Sequence, residues 1–197
     1  ALFYDFIDRV YPGLDFKPWH DKGFWPDEYV PYSIIDKNLI VANVSITKMK
    51  LLIDGRPVDG IQIGTVGTIP EYRGRGLSGY LMNHVLERYK DKNEFIFLFA
   101  NENVVDFYPK FGFTRYNEVI YISEAAIPKS NYSARKLNIN LKSDFEIITG
   151  LLYSRLDITR LFGARDYVSI TMWHILNIFP DKLYYLEDDQ IIFVVSE

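Results

Sequence analysis

Between Pro70 and Leu81 the chain reads P-E-Y-R-G-R-G-L-S-G-Y-L, with glycines at 74, 76 and 79 and arginines at 73 and 75. The run follows a strand-like stretch, Ile61 to Ile69, and opens a helix-like stretch, Leu77 to Asp91. The first N–H groups of a helix have no partner inside it, and the macrodipole places partial positive charge on them. Glycines leave those groups uncovered, and Arg73 and Arg75 add full charges beside them. Such a run suits phosphate. A P-loop would need G-x-x-x-x-G-K-[ST], which is absent. The dinucleotide pattern G-x-G-x-x-G is matched by Gly74 to Gly79, but no early βαβ unit surrounds it. The plain alternative is a glycine-rich turn with a surface arginine pair.

A second constellation, Asn101-x6-Tyr108-x3-Gly112-Phe113, follows the apolar run FIFLFA that ends at Ala100. The elements that must hold both motifs are readable from periodicity. Leu2, Phe3, Phe6, Ile7 and Val10 share one helical face, which Pro12-Gly13 ends. Residues 14 to 32 carry Phe16, Trp19, Phe24, Trp25, Tyr29 and Tyr32 among Pro18, Pro26 and Pro31, and predict a packed irregular loop. Tyr32 to Ile35, Leu39 to Ile53 and Ile61 to Ile69 predict an antiparallel meander, turned at Asp36-Lys37-Asn38 and at Asp54-Gly55-Arg56-Pro57. Phe95 to Ala100 reads as a central strand buried on both faces. A short helix over Val104 to Phe111 stops at Gly112, and a strand follows over Thr114 to Ser123. Two helices (Asp144 to Arg155, Tyr167 to Phe179) and a hairpin across Glu187-Asp188-Asp189 complete the chain. The order implies an α/β (α+β) fold with a mixed, mainly antiparallel sheet flanked by helices.

Composition bounds the function. The 197 residues are 48% hydrophobic and 16% aromatic, with 15 Tyr and 14 Phe, so a sizeable core is expected. A net charge of −4 argues against a nucleic-acid partner. There is no Cys, and the three His residues (20, 84 and 174) are scattered, so no metal site is expected. No apolar run approaches the ~20 residues of a membrane-spanning helix, and no membrane partner is expected. With no signal peptide visible, a cytoplasmic location is the working expectation.

The pairing of R-x-x-G-x-[GA] after one strand with N-x6-Y-x3-G-F after the next resembles the GNAT superfamily of acyl-CoA-dependent N-acetyltransferases. Residues 1–126 would be that domain, with its first strand missing. The runs G-T-V-G-T-I-P-E-Y-R-G-R-G and Y-P-K-F-G-F look more narrowly like the two-domain group related to the enhanced-intracellular-survival acetyltransferases. Residues 127–139 would then be a linker, and 140–197 the start of a second, degenerate acetyltransferase-like domain. The sixth position of the phosphate motif departs from the pattern: Ser78 stands where Gly or Ala is usual, and its hydroxyl can bond a phosphate oxygen.

The resemblance implies a role for each matching residue. Backbone at Val66, Gly67 and Thr68 would pair with the pantetheine arm of acetyl-CoA and bond the thioester carbonyl. Arg73, Gly74, Arg75, Gly76, Leu77, Ser78 and Gly79 would hold its pyrophosphate. Asn101 would bond the pantetheine, or cap the stretch that begins near Val104. Tyr108 would protonate the leaving thiolate as general acid, the plain alternative being an aromatic core position. Phe107, Phe111 and Phe113 read as core, and His84 as outward-facing.

The acceptor would be a primary amine of a small molecule or peptide. Trp25, Asp27, Glu28 and Tyr32 are candidates to bind it through aromatic walls and acids. The strand at 61 to 69 offers no carboxylate as base, so water is the expected proton acceptor, with Glu197 a further candidate. The competing function is a non-catalytic acyl-CoA-binding sensor or scaffold.

Overall fold

The computed structural model describes residues 2–92, 95–117, 133–156 and 159–195. Strands β1 (Tyr29–Asp36), β2 (Leu39–Ile53) and β3 (Arg56–Thr68) form the expected antiparallel meander, and β4 (Phe95–Leu98) adds parallel to β3. Both hairpins turn on two residues with positive φ, Lys37 (47°) with Asn38 (61°), and Asp54 (48°) with Gly55 (75°). Such pairs match the right-handed twist of the strands they join. The second turn is therefore tighter than the predicted four residues, and β3 begins at Arg56 instead of Ile61.

Helix α1 (Leu2–Val10) buries Phe6 and Ile7 as the periodicity predicts. The segment after it is not wholly irregular. It holds a five-residue helix, α2 (Lys17–Asp21), with Pro18 in the first turn, where a missing N–H leaves nothing unpaired. Pro31 is tolerated for a related reason: it lies in β1, whose outer edge pairs with nothing among the described residues. On the opposite face of the sheet, α3 (Leu77–Tyr89) buries Leu81, Met82, Val85 and Tyr89 against Ala42, Val44, Ile46, Ile61 and Ile63.

The stretch FIFLFA departs from expectation. Among the described residues β4 pairs only with β3, and Phe95 and Phe99 are 38% and 69% exposed. Its rings stack on one another and on Phe162 instead of beneath a helix. Two short 3-10 turns, Glu102–Phe107 and Pro109–Phe111, replace the predicted helix, and Gly112 ends them as expected. Thr114 to Asn117 carry no regular structure, and the rest of the strand predicted to Ser123 lies outside the described residues, as does Glu197.

The C-terminal third supplies β5 (Arg135–Lys136), α4 (Lys142–Tyr153), β6 (Phe162–Arg165), α5 (Val168–Asn177), β7 (Leu183–Leu186) and β8 (Ile191–Val194). The order β5-β7-β8 makes a small antiparallel sheet, whereas β6 pairs with Lys50 to Ile53 of β2, past Thr47, where the pairing of β2 with β1 stops. Leu137 and Ile139, in the stretch read as linker, are buried in one apolar cluster with Phe6, Trp19, Ile148 and Met172. Thus α1, α2, α4 and α5 share one core on one side of the central sheet.

Gly67 fixes how closely α1 approaches. A Cβ there would lie 2.6 Å from Val10 Cγ1 and 3.3 Å from the Tyr11 hydroxyl. Val10 is β-branched and stiff on its helix, so it yields little. Gly67→Ala should therefore lower stability in urea unfolding by about 1–3 kcal/mol, the usual overpacking range. Gly64→Ala, with nothing within 4 Å of the added carbon, should stay within about 0.5 kcal/mol of the parent.

Candidate active site

The pairing of β3 with β4 runs from Gly60–Phe95 to Ile63–Leu98 and then stops. Beyond it, β3 continues from Gly64 to Thr68 against β2 alone, so its other edge faces an opening. A bulge accompanies the parting. Ser45 opposes Gly64 and Asn43 opposes Gly67, which leaves both Thr65 and Val66 across from Val44. Thr65 takes φ 50°, a left-handed conformation that a β-branched residue resists.

Hydrogen bonds hold the bulge from behind. The Tyr29 hydroxyl donates to Ser45 Oγ (3.0 Å) and bonds Thr65 Oγ1 (2.8 Å). The Asn43 amide donates to Ser45 Oγ (2.8 Å) and to the Thr65 carbonyl (2.9 Å), while Ser33 Oγ donates to Asn43 Oδ1 (2.8 Å). Asn43 and Ser45 are fully buried, so these bonds offset a desolvation cost that would otherwise oppose folding. Burial pushes the Tyr29 phenol up to about 12, so it stays a neutral donor. From α1, the Tyr11 hydroxyl donates to the Val66 carbonyl at 2.6 Å, and burial raises its pKa, with the nearby Tyr108 and Tyr29 phenols adding to the rise.

Below the bulge lies the glycine run. Gly76 caps α3 in the left-handed conformation (φ 75°) and no side chain bonds the helix start. The N–H groups of Leu77, Ser78 and Gly79 are thus available to an anion. Arg73 Nε donates to the Thr68 carbonyl (3.2 Å), and Arg75 donates to the Glu71 carbonyl (3.1 Å) while lying 4.5 Å over the Tyr72 ring. These contacts aim the guanidinium groups without spending their charge on a carboxylate. Glu71 instead pairs with Arg9 (2.8 Å). Ser78 Oγ lies 2.6 Å from Thr68 Oγ1, so its hydroxyl ties α3 to the end of β3.

Opening and glycine run line one cavity of about 1020 Å³. It brings together Val66, Gly67, Thr68, the run Arg73 to Gly79, Asn101 and Tyr108. Asn101 stands at the cap position of the 3-10 turn, and its side chain makes no capping bond. Tyr108 is 8% exposed and packs edge-on to Phe107 and Phe113, and burial raises its pKa. Its hydroxyl therefore keeps its proton through neutral pH.

The four proposed acceptor residues are not brought to this cavity. Trp25 stacks among Phe3, Trp19 and Tyr29; Asp27 and Glu28 are exposed. Tyr32 bonds the Tyr89 hydroxyl (2.7 Å) on the α3 side, with the exposed His84 ring beside it. The cavity instead takes Tyr11 and Leu14 from the end of α1 and Trp173 from α5, which no motif marked. A second cavity, of about 940 Å³, lies near β6 and is lined by Leu52, Arg155, Phe162 and Tyr167; it gathers none of the motif residues.

A bulged strand that parts from a parallel neighbour above an uncapped helix N-terminus defines a mixed α/β fold of the acetyltransferase kind. The family model of the acetyltransferase (GNAT) domain matches residues 12–116, more than half of the chain, and the chain belongs to that family. No curated protein matches it. Among solved structures it is similar to an acetyltransferase of Trypanosoma brucei (25% identity, TM-score 0.41, covering 49% of this chain and 69% of that one). It is also similar to a predicted acetyltransferase with acetyl-CoA from Clostridium acetobutylicum (19%, 0.48, 60% and 82%). A third is glucosamine-6-phosphate N-acetyltransferase from Arabidopsis thaliana (19%, 0.40, 56% and 73%).

The buried phenol gives a prediction independent of activity. In an ultraviolet pH titration, the difference between the parent and Tyr108→Phe should show one tyrosine ionising above the ordinary value of ~10. A Tyr108 that ionises at or below that value would contradict its burial.

Proposed function

We propose that the protein is an acetyl-CoA-dependent N-acetyltransferase that moves the acetyl group directly to a primary amine of a small molecule or peptide. One observation carries this reading: the residues expected to bind the donor, scattered from 66 to 108 in sequence, line a single cavity. Val66, Gly67 and Thr68 present to the pantetheine arm the strand edge that β4 leaves open, with the Val66 and Thr68 carbonyls already held by Tyr11 and Arg73. The N–H groups of the glycine run, with Arg73 and Arg75, receive the pyrophosphate, and Asn101 bonds the arm.

The thioester carbonyl then lies beside the bulge. A neutral amine attacks it, a C–N bond forms, and a β3 N–H stabilises the oxyanion. Collapse breaks the C–S bond and expels the thiolate, to which Tyr108 gives its proton. Water takes the proton of the amine and returns one to the Tyr108 phenolate, so the site is reset. The direct route needs no acyl-enzyme. We place the chain in the two-domain group related to the enhanced-intracellular-survival acetyltransferases, with residues 140–197 opening the second domain and the protein cytoplasmic. The sequence runs Gly64 to Gly76 and Tyr108 to Phe113 support that placement.

Acetyl-CoA at a hundred times its Kd should stabilise the fold by about 2.7 kcal/mol, read as a rise in melting temperature. Arg73→Ala with Arg75→Ala should weaken binding at least about tenfold, since each removes a charge-assisted contact. Tyr108→Phe should lower kcat by about a hundredfold or more while leaving acetyl-CoA affinity near the parent value. Thiol release across polyamines, aminoglycosides and peptides reads the activity. Binding without any release would favour an acyl-CoA-binding scaffold.

A further inference from the structure

We infer that the acceptor is a primary amine carried on an aromatic or aliphatic body, seated between Tyr11 and Leu14 at the end of α1 and Trp173 of α5. The inference rests on the acetyltransferase reading and adds the acceptor's class and place. Three observations carry it. The first is position. Tyr11 bonds the Val66 carbonyl at 2.6 Å and its hydroxyl lies 3.3 Å from where a Gly67 Cβ would stand, so this wall adjoins the bulge. Tyr108 lines the same cavity, so the wall and the proposed acid open onto one space.

The second is charge. Among the described residues lining the cavity, the full charges are Arg73 and Arg75, both cationic and both in the glycine run. Bound acetyl-CoA takes up both with its pyrophosphate, and no carboxylate among those lining residues is left to pair with the several ammonium groups of a polycation. The third is the wall itself. Val10, Tyr11, Leu14 and Trp173 present apolar and aromatic surface, which suits one ring or branched chain with a single amine. Among the described residues the buried indole N–H of Trp173 has no hydrogen-bond partner, so it is the ring of Trp173 that meets the cavity. Because Tyr11 commits its proton to Val66, its oxygen is left to accept a hydrogen bond from the amine N–H.

The test compares phenethylamine with spermidine as acceptors at saturating acetyl-CoA, with acetyl-CoA affinity measured separately by calorimetry. The parent should show kcat/KM for phenethylamine at least about tenfold above that for spermidine, the scale of discrimination an apolar pocket supplies. Trp173→Ala should raise the phenethylamine KM about tenfold with acetyl-CoA Kd unchanged, whereas Trp173→Phe, which keeps a ring, should stay within about threefold. Leu14→Glu should move the preference toward spermidine. Equal or better use of spermidine by the parent overturns the inference, as does a phenethylamine KM indifferent to Trp173→Ala. Should Trp173→Ala not fold, an amine preference indifferent to Leu14→Glu overturns it in its place. Bound acetyl-CoA with thiol release to other amines but to neither probe overturns the inference alone. Bound acetyl-CoA without release to any amine overturns the acetyltransferase reading beneath it.

Discussion

The parting of β3 from β4 after Ile63 and Leu98 is the constraint on which the rest of the molecule depends. A parallel pair that continued would have satisfied the edge of β3 with backbone bonds and left no room for a ligand. Instead the bulge at Thr65 and Val66 turns the strand end away while β2 keeps hold of its other edge. A β-branched residue at φ 50° does not adopt that conformation unaided, and the Tyr29, Asn43 and Ser45 network keeps it there. Strain at the opening is thus balanced by buried hydrogen bonds just behind it.

The opening also explains the division of labour between the two faces of the sheet. On one face α3 packs its apolar side against β2 and β3 and directs its uncapped N-terminus at the strand end. On the other, α1 approaches closely because Gly67 has no side chain, and Tyr11, just past its end, reaches Val66. One face therefore presents positive charge at a helix N-terminus, and the other an aromatic wall. Residues 133–195 thicken that second face through Leu137, Ile139, Ile148 and Met172, and Trp173 extends it into the cavity.

Features written in contiguous residues were legible in the sequence. The glycine run, the meander, α1, α3 and the stop at Gly112 each depend on neighbours in the chain, and their local chemistry declares them. The bulge did not announce itself, because Thr65 has none of the residue types that mark a left-handed position. Tyr11 and Trp173 were missed for another reason: they meet the cavity only through packing between helices far apart in sequence. The aromatic residues Trp25 and Tyr32 were assigned to an acceptor pocket on composition. Strand parity decides otherwise: Tyr29 and Tyr32 face opposite sides of β1, one behind the bulge and one toward α3. The run FIFLFA shows the same limit, since apolar content alone does not say how much of a strand is covered, and Phe95 and Phe99 are exposed.

Amide hydrogen exchange with and without acetyl-CoA tests the central claim most directly, because it reads the strand edge itself. Binding in the opening should slow exchange at Val66 to Thr68 and at Leu77 to Gly79, and leave residues around Arg155 and Tyr167 unchanged. Protection confined to the second cavity, or none at Val66 to Thr68 at saturating acetyl-CoA, would contradict the account.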